Sequence, residues 1–437
     1  MNKYIIDGAH IDSADLKCLL ISRGVKVDNA VYHKYKNSAR LNSNPLCCNC
    51  LVLSDGTIAQ LTDVNFHMSY LSGILSWDNL KLLKYAGELG TPFSLRMQDD
   101  NPVLFYGKEE LDIVSFPPAS SFYRQKTASS LPYAGNAVLQ GVDWVAFQCL
   151  WPCEYAAGGQ PCQYCFSGAD FENAAKKGKA LPAAVPAADV AEIVEYAVKK
   201  DGMRHVQIAG GSTYDGHAEH GHISGYLSAI AATKGLSPEK TGKTGDGSAS
   251  LSKTQNRPLS LSKTQNRPLS FVGEVLLYIT PPADTGVIDE YFALGASRIA
   301  CSLEVWDMAG ASEITPGKIG ITGRGRHLKA LEYIAQKYGP GKALSNLIIG
   351  IEGFETLAEG AQWLAERGIQ PSASIWMPMG RPVRGSMKPP GVDYYKRAKE
   401  LYAGLYMKYK LEPTETSGLH VCADRDFWNY ACGGHSQ

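Results

Sequence analysis

Four cysteines in the middle of the chain carry the side chains best suited to specialised chemistry. They are Cys149, Cys153, Cys162 and Cys165, and they lie in one short, glycine-containing segment. Thiolates that converge from a flexible loop bind zinc or an iron–sulfur cluster. Three thiolates would leave one iron of a four-iron cluster open for a further ligand, whereas four would close it. The segment therefore indicates a metal or iron–sulfur site.

The composition favours this interpretation over disulfide bonding. The chain of 437 residues contains 11 cysteines, an odd number, and its first residues do not resemble an export signal. In a reducing compartment, grouped cysteines indicate metal binding or catalysis rather than disulfides. We therefore expect a cytoplasmic protein.

Charge and hydropathy argue against two classes of partner. The 43 Lys and Arg residues balance the 43 Asp and Glu residues, so no net field attracts nucleic acid or an anionic membrane. The sequence has no run of about 18 consecutive apolar residues that could span a membrane. We expect a protein that binds neither nucleic acid nor a membrane.

The elements that must position the cysteines begin near Gly141. From there, short apolar runs alternate with amphipathic helical patterns, which is typical of consecutive β/α units around a parallel sheet. We count six units and predict an α/β fold, a partial (β/α)6 TIM-like barrel. The predicted strands are 142–149, 205–209, 273–280, 298–303, 346–351 and 372–376. The predicted helices cover 187–200, 219–233, a segment around 287–291, 327–338 and 355–367.

Extensions flank the predicted barrel, which we place at residues 136–385. Residues 1–135 show no β/α rhythm and form an N-terminal region of unclear fold. Residues 386–437 form a C-terminal extension with a predicted helix over 394–409. Within the barrel, the hydrophilic segment 236–270 contains the sequence LSKTQNRPLS twice in succession, and we predict a disordered insertion there.

Polar and glycine residues follow several of the predicted strands. Because the carboxyl ends of parallel strands meet at one edge of a barrel, side chains there are placed for function. Each also has a structural explanation, since a glycine pair commonly forms a tight turn and charged residues commonly lie on a solvated surface. The candidates are Gly210, Gly211, Ser212 and Thr213 after the second strand, Ser302 and Glu304 after the fourth, Arg324 and Arg326 beyond it, and Gly350 in the fifth.

The segment Cys162-Gln-Tyr-Cys165 resembles half of the signature of the radical S-adenosylmethionine (SAM) superfamily, in which an aromatic residue precedes the last cysteine. The resemblance implies a [4Fe–4S] cluster on Cys153, Cys162 and Cys165, with SAM bound at the fourth iron. The commonest spacing in that family is CxxxCxxC, whereas eight residues separate Cys153 from Cys162 here. Cys149 stays an alternative first ligand, although its position at the end of the first strand favours Cys153.

The resemblance also implies roles for the strand-end residues. The turn at 210–213 is similar to the glycine-rich motif whose backbone meets the amino group of SAM. Ser302 and Glu304 match the region that contacts the SAM ribose or carboxylate in the biotin-synthase-like branch. Gly350 loosely resembles an adenine-contacting segment, and Arg324 is a partner for a carboxylate of SAM or substrate, because Arg binds carboxylates through two parallel hydrogen bonds.

The resemblance implies an oxygen-sensitive radical SAM enzyme that cleaves SAM to a 5′-deoxyadenosyl radical, which abstracts hydrogen from the substrate. A neutral chain without a recognisable macromolecule-binding module favours a small molecule or cofactor precursor as that substrate. Reduced flavodoxin or ferredoxin would supply the electron. Two alternatives remain open. One is a redox protein or electron carrier whose cluster is held by all four cysteines and binds no SAM, and the other is a zinc-binding interaction protein.

Two further groups of residues have both functional and structural explanations. His217, His220 and His222 could contact a metal or the substrate, or form a polar loop near the barrel opening. An auxiliary cluster is the functional interpretation of a second cysteine group, and core packing is the structural one. That group comprises Cys47, Cys48, Cys50, Cys422 and Cys432.

Overall fold

The computed structural model describes most of the chain, with gaps. The described residues are 3–35, 50–62, 64, 90–117, 120–150, 153–165, 184–214, 216–233, 273–377, 388–414 and 421–433. The predicted insertion at 236–270 and the cysteines Cys47 and Cys48 lie outside the described residues.

The N-terminal part combines short strands with a buried helix. A hairpin of β1 (Tyr4–Ile6) and β2 (Ala9–Ile11) leads into helix α1 (Ser13–Arg23), whose first turn is capped by the Asp12 side chain. The next elements are β3 (Lys26–Val27), α2 (Asn29–Tyr35), β4 (Cys50–Val52), β5 (Ile58–Gln60), β6 (Phe93–Gln98), β7 (Asn101–Tyr106) and β8 (Glu109–Ile113). Strands β3, β6, β7 and β8 form one sheet, and β4 pairs with β5.

A seven-stranded sheet forms the centre of the molecule. Its strands are β9 (Ala137–Gln140), β10 (Trp144–Gln148), β11 (His205–Ala209), β12 (Val275–Tyr278), β13 (Arg298–Ala300), β14 (Ala343–Ile349) and β15 (Gln370–Ile375). Strands β10 to β15 are parallel and lie side by side in chain order, whereas β9 is antiparallel at the edge beside β10. This order is that of a TIM-type barrel. Within the described residues β9 does not pair with β15, so the sheet is an open, curled half-barrel.

Helices connect the parallel strands and follow the last one. They are α3 (Glu154–Ala157), α4 (Ala187–Asp201), α5 (His217–Ala231), α6 (Gly286–Ala293), α7 (Met308–Ile314), α8 (Arg324–Tyr338), α9 (Phe354–Glu366), α10 (Val392–Tyr409) and α11 (Asp424–Ala431), with a 3-10 turn at Phe122–Arg124 and a π-helix at Lys318–Thr322. Their apolar stripes pack on the outer face of the sheet, as Val190, Ile193 and Val194 of α4 do. In the described ranges, every helix is too short or too polar to cross a lipid bilayer.

The register of the strands decides which side chains face the inside of the curl. Paired residues on adjacent parallel strands share a face, and faces alternate along each strand. Val145 and Phe147 join the main core under the helices, whereas Trp144 packs in a separate cluster inside the curl. The inner face also carries uncharged polar side chains. These are Gln148, Gln207, Tyr278, Asn346, Ser372 and Ser374.

The C-terminal extension covers the edge of the sheet at β15. The segment 421–423 runs antiparallel to this strand, and backbone hydrogen bonds of 2.9 and 3.0 Å join it to Ile375 and Ala373. The exposed N–H and C=O groups of an edge strand thereby gain partners. The pairing also places the Cys422 thiol 3.4 Å from the Ser374 hydroxyl.

The structure confirms the α/β class and a barrel-like central sheet, and all six predicted strands are present. The second strand has the predicted bounds, His205–Ala209, and the others differ by a few residues at their ends. The antiparallel strand β9, helix α7 and the π-helix were not predicted. The finer assignment to a (β/α)6 unit stays a prediction because a seventh strand extends the sheet, and the domain boundaries at 135 and 385 stay predictions as well.

Buried charges join α1 to α10. The Lys399 ammonium, whose residue is 3% exposed, donates to the Asp12 carboxylate and, over 2.7 Å, to Asp15. Burial and the neighbouring Asp12 raise the pKa of Asp15 to about 6, although Lys399 acts in the opposite direction. Removing one member of such a pair leaves the other charge buried and unpaired, which destabilises a protein strongly.

The variant Lys399→Met is therefore expected to lower the free energy of unfolding by about 3–5 kcal/mol, measured by chemical denaturation at pH 7. Lys408→Met on the same helix is the matched control, because Lys408 is exposed and its replacement should change this free energy by less than about 0.5 kcal/mol. Equal effects of the two substitutions would contradict the assigned role of the buried pair.

Candidate functional site

The cysteine loop, residues 153–165, follows strand β10 at the carboxyl edge of the sheet. Cys153 stands directly before the short helix α3, and the Cys165 N–H donates to the Cys162 carbonyl at 3.1 Å in a tight turn. The residues of all three cysteines are partly exposed. The loop therefore presents three thiols at the edge of the sheet where barrel enzymes place functional groups.

Cys149 is placed differently from these three cysteines. Its N–H still continues the sheet by donating to the Ala209 carbonyl at 2.7 Å. It shares a strand face with Val145 and Phe147, is 2% exposed and belongs to the main core. Burial raises the pKa of the Cys149 thiol, and the Glu219 carboxylate raises it further. The thiol therefore points into the core beneath the helices.

The glycine turn, residues 210–213, is the support on which the cysteine loop rests. The Gly211 N–H donates to the Leu150 carbonyl at 2.9 Å, and the Glu154 N–H donates to the Ser212 carbonyl at 2.8 Å. A Cβ on Gly211 would lie 2.6 Å from the backbone of Cys153, and one on Gly210 would lie 2.9 Å from the Leu150 nitrogen. Glycine is required here because two backbones approach each other closely.

Behind the glycine turn, the Glu219 carboxylate joins the loops that follow β11 and β12. It accepts hydrogen bonds from the Thr280 N–H at 2.7 Å and from the Thr213 hydroxyl at 3.4 Å. The Thr213 hydroxyl in turn accepts from the Gly216 N–H at 2.9 Å. Burial raises the pKa of Glu219 to about 7, although these hydrogen bonds lower it. Glu219 therefore fixes the end of the glycine turn.

The other side of the cysteine loop packs on the α7–α8 segment, residues 314–323. The Gln163 N–H donates to the Ile314 carbonyl at 2.9 Å, and the hydroxyls of Tyr155 and Thr322 are hydrogen-bonded. Gly317 lies so close to the Tyr155 ring that a Cβ there would come within 2.6 Å of the Tyr155 Cβ. The cysteine loop is thus held between the glycine turn and the α7–α8 segment.

Ser302 and Glu304 lie where β13 ends, and a lysine connects them. Glu304 has a φ of 72°, which a non-glycine residue rarely adopts, and its N–H donates to the Asn346 carbonyl at 2.8 Å. The first residue of the π-helix, Lys318, donates to the Ser302 carbonyl at 2.8 Å and to Glu304 Oε1 at 3.0 Å. The Lys318 and Glu304 side chains are 14% and 10% exposed. Both predicted residues are therefore part of one partly buried polar group.

The other predicted residues have partners outside the cysteine loop. The Arg324 guanidinium carbon lies 4.0 Å from the centre of the Trp306 ring, and the guanidinium donates to the Trp306 carbonyl at 2.6 Å. Arg326 donates to the Tyr214 carbonyl at 2.8 Å, directly after the glycine turn. Gly350 has a φ of 104°, and its N–H donates to a tyrosine hydroxyl of α10 at 3.0 Å. The contacts of Arg324 and Gly350 are thus with Trp306 and α10 rather than with the three cysteines.

His220 and Cys50 have local partners. His220 lies 3.3 Å from the Tyr291 hydroxyl and 3.2 Å from the Glu290 carboxylate, and the buried Cys50 thiol lies 3.8 Å from the Gly141 carbonyl. In the part of the chain that the structure describes, no three His, Cys, Asp or Glu side chains converge where a single metal ion could bind.

Two residues that organise this site were missing from the sequence-based candidates, Glu219 in its supporting role and Lys318. Glu219 lies at the start of a predicted helix, where its carboxylate could equally have faced solvent. Lys318 is a lone cation in the segment Pro-Gly-Lys-Ile-Gly between the predicted strand 298–303 and the predicted helix 327–338. This glycine-rich connection after the strand that ends near Glu304 was the available signal.

No protein-family model and no curated protein matches this chain. One solved structure, that of HydG, a maturase of the [FeFe]-hydrogenase, is 14% identical to it with a TM-score of 0.33. The similar region covers 62% of this chain and 51% of that chain, so the similarity spans about half of the HydG chain.

The close approach at the glycine turn predicts that Gly211→Ala displaces the cysteine loop. Because the added methyl group would meet backbone atoms of Cys153, which cannot rotate away, we expect the free energy of unfolding to fall by about 1–3 kcal/mol. Denaturant unfolding measures this value. Gly221→Ala is the control, since open space surrounds Gly221 in α5 and alanine favours a helix. A Gly211→Ala variant as stable as the wild type would disprove the steric role.

The raised pKa of Glu219 predicts a pH dependence of stability. The folded-state pKa of about 7 exceeds the ordinary value of 4.5, so the folded chain binds this proton more tightly than the unfolded chain does. The stability that protonated Glu219 contributes is therefore present below pH 4.5 and is lost as the pH rises through 7. Glu219→Gln keeps an acceptor for Thr280 without the charge. In denaturant titrations, the free energy of unfolding of this variant should exceed that of the wild type by on the order of 3 kcal/mol at pH 8. The two values should match near pH 4.5. A difference in free energy of unfolding between the two proteins that does not change with pH would refute the raised pKa of Glu219.

Proposed function

We propose that this chain is a radical SAM enzyme of the biotin-synthase-like kind, with a [4Fe–4S] cluster held by Cys153, Cys162 and Cys165. The observation that carries the proposal is the separation of the four central cysteines. Three cysteines whose residues are partly exposed share the loop at the carboxyl edge of the sheet, whereas Cys149 lies in the core. Three thiolates leave one iron of the cluster open, as SAM binding requires.

Three cysteine thiolates are the kind of donor set that such a cluster requires. Each cysteine binds a different iron atom of a cubane cluster, so the three thiolates need not meet at one point as the ligands of a single zinc ion must. The supporting backbone is fixed on both sides, by the glycine turn and by the α7–α8 segment. The α7–α8 segment also carries Lys318, whose ammonium pairs with the Glu304 carboxylate at 3.0 Å.

When bound, the cluster and SAM together supply one reducing electron and the 5′-deoxyadenosyl radical that abstracts hydrogen from the substrate. The chain's own residues bind and orient the reactants. In this proposal the backbone of the glycine turn meets the amino group of SAM, and Ser302 and Glu304 contact its ribose or carboxylate. The described partners of Arg324 and Gly350 are Trp306 and α10. In this proposal these two residues contact parts of SAM that lie farther from the cysteine loop.

The inner face of the curled sheet supports a small polar substrate. Gln148, Gln207, Tyr278 and Asn346 provide hydrogen-bonding groups without a full charge. Such groups orient a small polar molecule by hydrogen bonds. We accordingly propose a small molecule or cofactor precursor as substrate, and reduced flavodoxin or ferredoxin as the electron donor.

The two alternative functions receive less support. A redox protein with a four-cysteine cluster would require the Cys149 thiol to leave the core, where it shares a strand face with Val145 and Phe147. A zinc-binding protein would require several ligands to converge on one ion, and the described residues contain no such group of three.

Cysteine variants test the proposed ligand set. After anaerobic reconstitution and reduction with dithionite in the presence of SAM, the wild type should form 5′-deoxyadenosine, measured by liquid chromatography and mass spectrometry. Cys153→Ala should lower this rate at least 100-fold, because one iron loses its thiolate. Cys149→Ala is the matched control and should keep most of the rate, since its thiol lies in the core.

If Cys149→Ala loses the rate of 5′-deoxyadenosine formation and Cys153→Ala keeps it, the first ligand is Cys149 rather than Cys153. If the reconstituted wild type forms no 5′-deoxyadenosine, the proposed function is wrong.

A further inference from the structure

Eight residues separate the first two cysteines of the cysteine loop, and they fold back on themselves. The Gly158 N–H donates to the Glu154 carbonyl at 2.8 Å, which closes the helix α3. The Gln160 N–H then donates to the Tyr155 carbonyl at 2.7 Å. The chain thereby returns to the start of α3 two residues before Cys162.

Tyr214, which directly follows the glycine turn, holds this folded segment in place. Its N–H donates to the Glu154 carboxylate at 2.7 Å, and its hydroxyl donates to the Glu154 carbonyl at 3.1 Å. The rings of Tyr214 and Tyr155 stack with their centres 6.0 Å apart. A Cβ on Gly158 would collide with the Tyr214 hydroxyl, so this position requires glycine. Tyr214 therefore contacts the segment from its first residue to its closing turn.

The position of Tyr214 is itself fixed by a third element. Arg326, near the start of α8, donates to the Tyr214 carbonyl at 2.8 Å. The tyrosine is nevertheless 41% exposed, so it contributes little to the hydrophobic core. Directional contacts made by an exposed side chain are those of a residue that orients its neighbours rather than one that fills a core.

We infer that Tyr214 is a positioning residue for the iron–sulfur cluster, which acts through Glu154 and does not itself ligate iron. This inference rests on the proposed function. Glu154 directly follows Cys153, so both hydrogen bonds of Tyr214 are made to the residue next to the first proposed ligand. Partners that orient metal ligands in this way typically change metal affinity about 10–100-fold when they are removed. Tyr214 accordingly keeps the eight-residue segment in the form that lets Cys153 and Cys162 bind one cluster.

The test measures how fast the reconstituted full chain loses iron to a ferrous chelator, bathophenanthroline disulfonate, under anaerobic conditions. Tyr214→Ala should lose iron about tenfold faster than the wild type, because the segment is no longer held. Tyr214→Phe keeps the ring and the backbone bond, and should show a smaller increase. Tyr430→Ala is the matched control, since Tyr430 is 43% exposed and lies in the C-terminal helix α11, and it should lose iron at the wild-type rate.

Two substitutions of Glu154 give an independent arm that leaves the tyrosine in place. Glu154→Gln keeps an acceptor for the Tyr214 N–H and should retain iron as the wild type does, whereas Glu154→Ala should lose it about tenfold faster. The electron paramagnetic resonance (EPR) spectrum of the reduced cluster should broaden in Glu154→Ala and Tyr214→Ala, because the ligands are less well fixed, and should stay unchanged in Glu154→Gln. A general loss of stability would not produce this pattern.

Wild-type rates of iron loss in Tyr214→Ala and Glu154→Ala would overturn the inference and leave the proposed function intact. If Tyr214→Ala does not fold, a wild-type rate in Glu154→Ala alone decides against the inference. A reconstituted wild type without an iron–sulfur cluster would instead refute the proposed function, and the inference with it.

Discussion

The close contact between two backbones at the glycine turn is the constraint on which the candidate site depends. Gly210 and Gly211 have no Cβ, and the backbones of Leu150 and Cys153 occupy the space that side chains would fill. Hydrogen bonds from Gly211 and Glu154 then fix the position of Cys153 relative to β11. The two glycines therefore position the cysteine loop, in addition to the SAM-binding role that the resemblance implies.

The same loop is held on its second side by a different kind of contact. There the Tyr155 ring packs on Gly317, and the segment that carries this glycine also carries Lys318. The glycine turn therefore sets where the loop begins, and the α7–α8 segment holds the part of the loop next to Cys162. Buried Glu219 stabilises the first contact, and the Lys318–Glu304 pair borders the second.

Much of the central sheet could be predicted from the sequence because its strands are short apolar runs between polar residues, as in His205–Ala209. The placement of Cys149 in the core follows from the same two-residue alternation. The N-terminal sheet could not be predicted, since Lys26–Val27 pairs with residues almost 70 positions later and is too short to show a pattern. The contacts of Lys318 were equally hidden, because they depend on packing between distant loops.

The central claim is that three cysteines hold a cluster with one iron left open for SAM. The most direct measurement is the EPR spectrum of the reduced, reconstituted wild-type protein before and after SAM is added. Binding of SAM to an iron atom changes the ligand field of the cluster, so the account predicts a clear change in the g values. Identical spectra with and without SAM would contradict it and would indicate a cluster whose irons are all ligated by the protein.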